Sequence, residues 1–434
     1  MNRKIPKHTV IVSFDAVGSS DFKTLSELPN FKKFLKNSAY CKEVSSIYPT
    51  LTYPAHTSIV TGKYPNRHGI VNNTMIQPKR SNPDWFWKRK YVKGTTFYDE
   101  ARKAGMKVAA LLWPVTAGAK IHYNIPEILP NRPWETQELV SFLNGSPLYE
   151  LELLKNFGHL RDGVKQPALD DFTHQSLMHT LKKYKPNLTM VHFTDVDTNR
   201  HDYGVDAPEI KEAFLRHDIR LKEIIETLKS TGMYDETAII ILGDHSQLAV
   251  NKVIYPNYLL KQKGYITLKD NKIHTWKAFA HNCNGSCYIY LKDKNDLEMK
   301  TRIRELLNEL KEKFPEAIEH IFTGEEAATM GADGNCAFML EAYEGWYFLD
   351  EYEELTTEVN MDSDKAHMML GTHGFLPTKS EYHTFFAAKG VGIASNVEVK
   401  KMSLVDEGPT IAKLLGLELP DTDGMVIKEL LEVE

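Results

Sequence analysis

HTVIVSFDA, residues 8–16, is a short β-branched run, apolar almost without a break, that ends on an acidic residue. NLTMVHFTDVD (187–197) and ETAIIILGDHS (236–246) repeat the pattern, and MKVAALLW (106–113) and HTFFAAKG (383–390) follow it closely. Strands of this composition suit a sheet buried on both faces, not one with a wet side. Amphipathic segments with helical period separate them, at 28–40, 96–105, 168–184 and 208–232. Strand alternating with helix predicts an α/β fold built on a largely parallel sheet with helices on both faces.

Between about 250 and 365 the rhythm changes to short strands, CYIYLK (287–292) and AFMLEAYEGWYFLD (337–350), around one long charged helix at 295–314. This predicts an inserted α+β subdomain at 250–365 within a core made of 1–249 and 366–434. The 434 residues, 42% apolar and 26% charged, are ordinary for a globule with a large core. A net charge of −5 offers no basic surplus for a nucleic-acid polymer. No run of eighteen apolar residues suggests a membrane partner, and the five-residue VIVSF near the N-terminus is too short for a signal peptide. Four cysteines are too few for a disulfide framework, which points to a cytoplasmic location, with Cys283 and Cys287 as reduced thiols.

In an open α/β sheet, chemistry gathers beyond the carboxyl ends of the strands. Asp15, the pair Asp195 and Asp197, and Asp244 with His245 all stand at such ends. Carboxylates sent to one edge repel one another, and a cation resolves the conflict. His201 follows Asp197 by four residues, on one face of a helical turn, and His373 lies in GTHG. Mixed carboxylate and imidazole donors in two sites suit zinc better than calcium or magnesium, with manganese as the alternative. In YPTLTYPAHTSIVTGKYPNRHGIVNN (48–73), the residues from Tyr53 to Gly62 read as a helix with Thr52 at its start. Thr52 is there either as an N-cap or beside backbone N–H groups that receive a phosphate.

These segments resemble the alkaline phosphatase superfamily, and within it the nucleotide pyrophosphatase/phosphodiesterase (type I phosphodiesterase) branch. The resemblance rests on FDAVG, YPTLTYPAH, IVTGKYPNRHGIVNN, DVDTNRHDYG, GDHS, GTHG and PTIAKLLGLELPDTDG, which run from residue 15 to 424. It implies that Thr52 is the nucleophile and a ligand of one zinc with Asp15, Asp244 and His245. Asp197, His201 and His373 would hold a second zinc. Asp195 competes with Asp197 for that place, but the spacing to His201 favours Asp197. Asn73 would contact a phosphoryl oxygen, helped by the backbone N–H groups after Thr52, and Tyr53 would line the pocket for a base or other leaving group. Trp113 and Pro114 are similar to the family's WPG, although Val115 replaces the glycine and Trp113 also reads as a core aromatic. His56 and His68 read as structural.

The implied reaction is hydrolysis of a small, nucleotide-like phosphodiester or pyrophosphate through a covalent Thr52 intermediate, with net retention at phosphorus. A sulfatase is disfavoured, because Thr52 and His56 stand where its modified residue and arginine belong. A phosphonoacetate-type phosphonate hydrolase or a phosphomonoesterase on the same two-metal site is the alternative reading. A metal-bearing binding module is the non-enzymatic one.

Overall fold

The computed structural model describes residues 4–360, 368–380 and 382–432. Its main sheet has nine strands, six of them β1 (His8–Phe14), β2 (Ala39–Ser45), β3 (Val108–Leu111), β4 (Tyr123–Ile125), β5 (Leu188–Phe193) and β6 (Thr237–Gly243). The order runs Val397–Val399, β2, Thr384–Gly390, β6, β1, β5, β3, β4, and Met402–Ser403 also pairs with β2. From β6 to β4 every pairing is parallel. Thr384–Gly390 runs antiparallel between β6 and β2. This is the mixed, mostly parallel sheet expected from the uninterrupted apolar runs. Along β1, Ile11 packs into the core on one face while Val10, Val12 and Phe14 pack into that on the other, so both faces are covered.

Register explains why the chemistry collects at one edge. Phe14 at the end of β1 pairs with Phe193 at the end of β5 and with Gly243 at the end of β6. Parallel strands that end level deliver the residues after them, Asp15, Asp195 to Asp197, and Asp244 with His245, to the same rim. The antiparallel strand Thr384–Gly390 begins at that rim, which brings the preceding GTHG turn to it from the other direction.

Helices form where period and breakers agree: Ala168–Lys183, Pro208–Ser230 and Leu297–Lys313 lie within the segments read as helical. The segment 28–40 is a correction. Its helix stops at Leu35, Asn37 takes a φ of 64°, and Ala39 opens β2. Asparagine tolerates the left-handed region and breaks the helical repeat there.

Within 250–360, a four-stranded antiparallel sheet (Ala278–Cys283, Ser286–Leu291, Phe338–Ala342, Ile318–Thr323) packs on the helix Leu297–Lys313. The boundary expected at 365/366 lies outside the described residues. Cys283 and Cys287 are buried free thiols on this sheet. No helix of the described residues is long and apolar enough to cross a membrane.

Candidate active site

Thr52 is the first residue of a helix, Thr52–Thr61, in which every residue is buried. Leu51 occupies the N-cap position, and Gly62, at a φ of 65°, ends the helix where an added Cβ would lie 2.8 Å from Pro409. Of the two readings of Thr52, the cap fails. Its hydroxyl caps nothing; instead Oγ1 lies 3.1 Å from His245 Nε2. The backbone donors expected to help are also committed. Tyr53 N–H donates to Asn73 Oδ1 at 3.0 Å, Pro54 has no N–H, and Ala55 N–H closes the first turn on Leu51 at 2.9 Å. A phosphoryl group would therefore look to the Asn73 amide NH2, since its Oδ1 is occupied.

Around His245 Nε2 the sequence-predicted ligands converge. Asp15 Oδ1 lies 3.4 Å away and Asp244 Oδ2 3.3 Å. Both oxygens are buried with no hydrogen-bond partner among the described residues. Unsatisfied buried carboxylate oxygens are costly and call for a counter-charge. Two ligands held at about 2.0–2.1 Å by one tetrahedral ion stand about 3.3–3.4 Å apart, the spacing His245 Nε2 keeps to each of these two carboxylate oxygens. Burial, and then the nearby Asp197, push the Asp15 carboxyl up to about 7, and burial with Asp15 pushes Asp244 well up. Burial is the larger cause in both, and a neighbouring carboxylate adds to it.

The second group lies beside it. Asp197 and His201 share the helix Asp195–Tyr203, with His201 Nε2 at 3.3 Å from Asp197 Oδ1, and His373 Nε2 at 3.9 Å from the same oxygen. Ligand atoms of Asp197, His201 and His373 all lie within 4.8 Å of one another, as do those of Asp15, Asp197 and His245, so Asp197 sits between the two groups. The three imidazoles share one arrangement: Nδ1 of His201, His373 and His245 donates to the carbonyls of Gly371, Thr50 and Ser246, at 2.8, 3.1 and 3.3 Å. That leaves Nε2 of each ring as the nitrogen available to a metal. Burial holds His245 well below its ordinary pKa and His373 at about 4, so both are neutral donors.

Asp195 is settled against. Its carboxylate, fully buried, accepts from Arg216 Nε at 2.6 Å and Nη2 at 2.9 Å and from Arg220 Nη1 at 3.3 Å. Burial would raise its pKa, but Arg216 and its neighbours hold it below the usual range. Trp113 is a core aromatic with no exposure. His56 bridges Ser13 Oγ (2.9 Å) and the Thr52 carbonyl (2.8 Å), 3.4 Å from Asp244 Oδ2. This Ser–His–Asp arrangement is sealed from solvent and does not face the pocket. His68 is buried against Ser58 Oγ at 3.0 Å.

From Thr52 a cavity of about 450 Å3 runs between the sheet rim and residues 125–172, with Tyr53, Asn73 and Trp85 near Thr52 and Leu154 and Phe172 farther along. Tyr53 and Trp85 meet edge to face, ring centroids 5.3 Å apart. Sequence reasoning missed Trp85, Glu127, His192 and Gln247. Gln247 donates to Asp197 Oδ1 at 2.6 Å. His192 stands between Asp15 and Glu127; burial opposes its charge, but the two carboxylates raise its pKa well above the ordinary value. One signal was available, a histidine inside the apolar run TMVHF; Glu127 lies in a stretch without motifs.

The sequence model of the family described as Type I phosphodiesterase / nucleotide pyrophosphatase matches residues 9–376. The chain belongs to this family. Human bis(5'-adenosyl)-triphosphatase ENPP4 is 24% identical over 442 aligned residues, covering 97% of this chain and 80% of that protein. Human ectonucleotide pyrophosphatase/phosphodiesterase family member 1 is 27% identical over 246 residues, covering 54% of this chain but 23% of its own length. Among solved structures, an inactive form of murine ectonucleotide pyrophosphatase/phosphodiesterase 5 in complex with AMP superposes with a TM-score of 0.68 at 21% identity, covering 98% of this chain and 100% of that one. Family and fold therefore agree with the motif reading.

Proposed function

We propose that this chain is a two-metal phosphodiesterase/nucleotide pyrophosphatase that cleaves small nucleotide-like substrates through a covalent Thr52 intermediate. One observation carries the reading: Thr52 Oγ1 opens onto an aromatic-walled pocket while sitting 3.1 Å from His245 Nε2, beside the unpartnered oxygens of Asp15 and Asp244. Asp15, Thr52, Asp244 and His245 would hold one ion, and Asp197, His201 and His373 the other. Two zinc ions fit these donors, with manganese as the alternative; bound ions would neutralise phosphoryl charge and lower the pKa of a coordinated hydroxyl.

The Thr52 hydroxyl attacks phosphorus and the leaving group departs in line on the far side. Thr52 then carries the phosphoryl or nucleotidyl group until water displaces it, and two displacements retain configuration at phosphorus. The Asn73 amide donates to a non-bridging oxygen, a preorganised dipole whose other end is fixed by Tyr53 N–H. Tyr53 and Trp85 offer faces and edges to a base. The names of the relatives, a bis(5'-adenosyl)-triphosphatase and a protein crystallised with AMP, support a nucleotide over other phosphodiesters. Residues 250–365, read as an inserted subdomain, contribute Asn284 to the pocket wall. Four free, buried cysteines support a cytoplasmic location, which fractionation of the expressing cell would test.

The functional test compares p-nitrophenol release from thymidine 5′-monophosphate p-nitrophenyl ester with release from p-nitrophenyl phosphate, alongside turnover of phosphonoacetate, each with and without zinc. Zinc-dependent preference for the diester supports the reading. Dominance of phosphonoacetate or the monoester would overturn the substrate class, and inertness towards all three would favour a binding module.

A further inference from the structure

The two oxygens of Asp15 are in different situations. Oδ1 is the unpartnered atom facing His245, whereas Oδ2 lies 3.1 Å from His192 Nε2. His192, in β5, has no exposure, and its other nitrogen lies 3.0 Å from Glu127 Oε2. Glu127 follows β4, keeps a quarter of its side chain exposed and lines the pocket. Its main-chain carbonyl accepts from the Tyr53 hydroxyl at 3.4 Å. One residue is thus tied through its side chain to Asp15 and through its backbone to the neighbour of Thr52.

We propose that Glu127 and His192 are positioning residues: Glu127 fixes the His192 ring, His192 pins Asp15 Oδ2, and Asp15 Oδ1 is thereby aimed at the ion shared with Asp244 and His245. The inference rests on the two-metal reading above. A carboxylate free to rotate must be ordered each time an ion binds, and a fixed one has already met that cost. Through the two nitrogens of His192, the chain Glu127–His192–Asp15 joins the pocket wall after β4 to the Asp15 group, and Nδ1 also makes a longer 3.3 Å approach to the Leu112 carbonyl. Loss of such an outer partner typically weakens metal binding about 10–100-fold.

The test is zinc titration of metal-free wild type, Glu127→Leu, Glu127→Gln and His192→Asn in competition with a fluorescent chelator. Each variant's melting temperature and its kcat and KM on the thymidine ester at low and high zinc are measured in parallel. Wild type is expected to bind two zinc ions. Glu127→Leu and His192→Asn weaken one of the two about 10–100-fold and spare the other. Glu127→Gln keeps an acceptor for the imidazole N–H and recovers most of the affinity. For His192→Asn, kcat falls at low zinc, returns at high zinc, and KM holds. Two zinc ions bound by Glu127→Leu with wild-type affinity would overturn the positioning role and leave the two-metal reading intact; so would equal weakening of both sites with a lowered melting temperature. A wild type that binds no zinc removes the two-metal reading itself.

Discussion

Asp195 and Asp197 stand two residues apart on one helix, and replacing each with asparagine should produce opposite results. Asp195 is fully buried and held by Arg216 and Arg220. Removing one partner from a buried charge pair costs about 3–5 kcal/mol. Two features place Asp195→Asn at the low end, about 3 kcal/mol. Arg216 keeps 27% of its side chain exposed, so water recovers part of its solvation, and Arg220 retains Asp171 at 2.9 Å and Asp170 at 3.3 Å. Among the described residues Asp197 has no Lys or Arg beside it; its neighbours are Gln247, which donates to Oδ1 at 2.6 Å, His201, His373 and the Asp15 group. Asp197→Asn removes repulsion with Asp15 but also a charge that His201, His373 and His245 favour against the cost of burial, so its metal-free midpoint should move less than that of Asp195→Asn while it loses one zinc per chain. The assay pairs urea midpoints of metal-free protein with zinc content by mass spectrometry. Zinc lost from Asp195→Asn at an unchanged midpoint, or a destabilised Asp197→Asn with full zinc content, would refute the assignment.

Asn73→Ala should lower kcat on the thymidine ester about 10²–10³-fold, the usual effect of losing one oxyanion donor; a change confined to KM would show that Asn73 only binds. Gly374→Ala places a side chain where φ is +89° and a Cβ would lie 1.6 Å from the Cys283 carbonyl, so the GTHG turn must move and take His373 with it. Zinc titration should then show one weakened site, and an unaltered titration would count against His373 as a ligand. Burial raises Glu150 from 4.5 to about 7, so it is protonated in both states below pH 4.5. Between about 4.5 and 7 the unfolded chain releases that proton and the folded chain keeps it, so stability falls as pH rises, by up to about 3 kcal/mol. Glu150→Gln should flatten this part of the stability profile, and a slope equal to wild type would contradict the raised value.

What could be read in advance was what short-range pattern controls. The uninterrupted runs ending at Asp15, Asp195 and Asp244 have to be buried strands, and level parallel strands have to present their following residues together. The i, i+4 pair of Asp197 and His201 followed from helical period. Asn37 shows where that reasoning ends, because a lone asparagine looks polar whether it continues a helix or ends it. The backbone donors after Thr52 failed for a three-dimensional reason: Asn73, twenty residues on, occupies Tyr53 N–H. Glu127 and His192 were hidden because their partners come from strands distant in sequence. Trp85 gave no periodic signal, lying outside any helix or strand.

The central claim is that Thr52 becomes covalently linked to the substrate's phosphorus. Acid quench of the zinc-loaded chain within its first turnovers on thymidine 5′-monophosphate p-nitrophenyl ester, followed by tryptic digestion and mass spectrometry, tests it directly. The account predicts a thymidylyl adduct on the peptide spanning 43–63, mapped to Thr52, absent from Thr52→Ala. Sustained turnover with no adduct at any quench time and inverted configuration at phosphorus would contradict it.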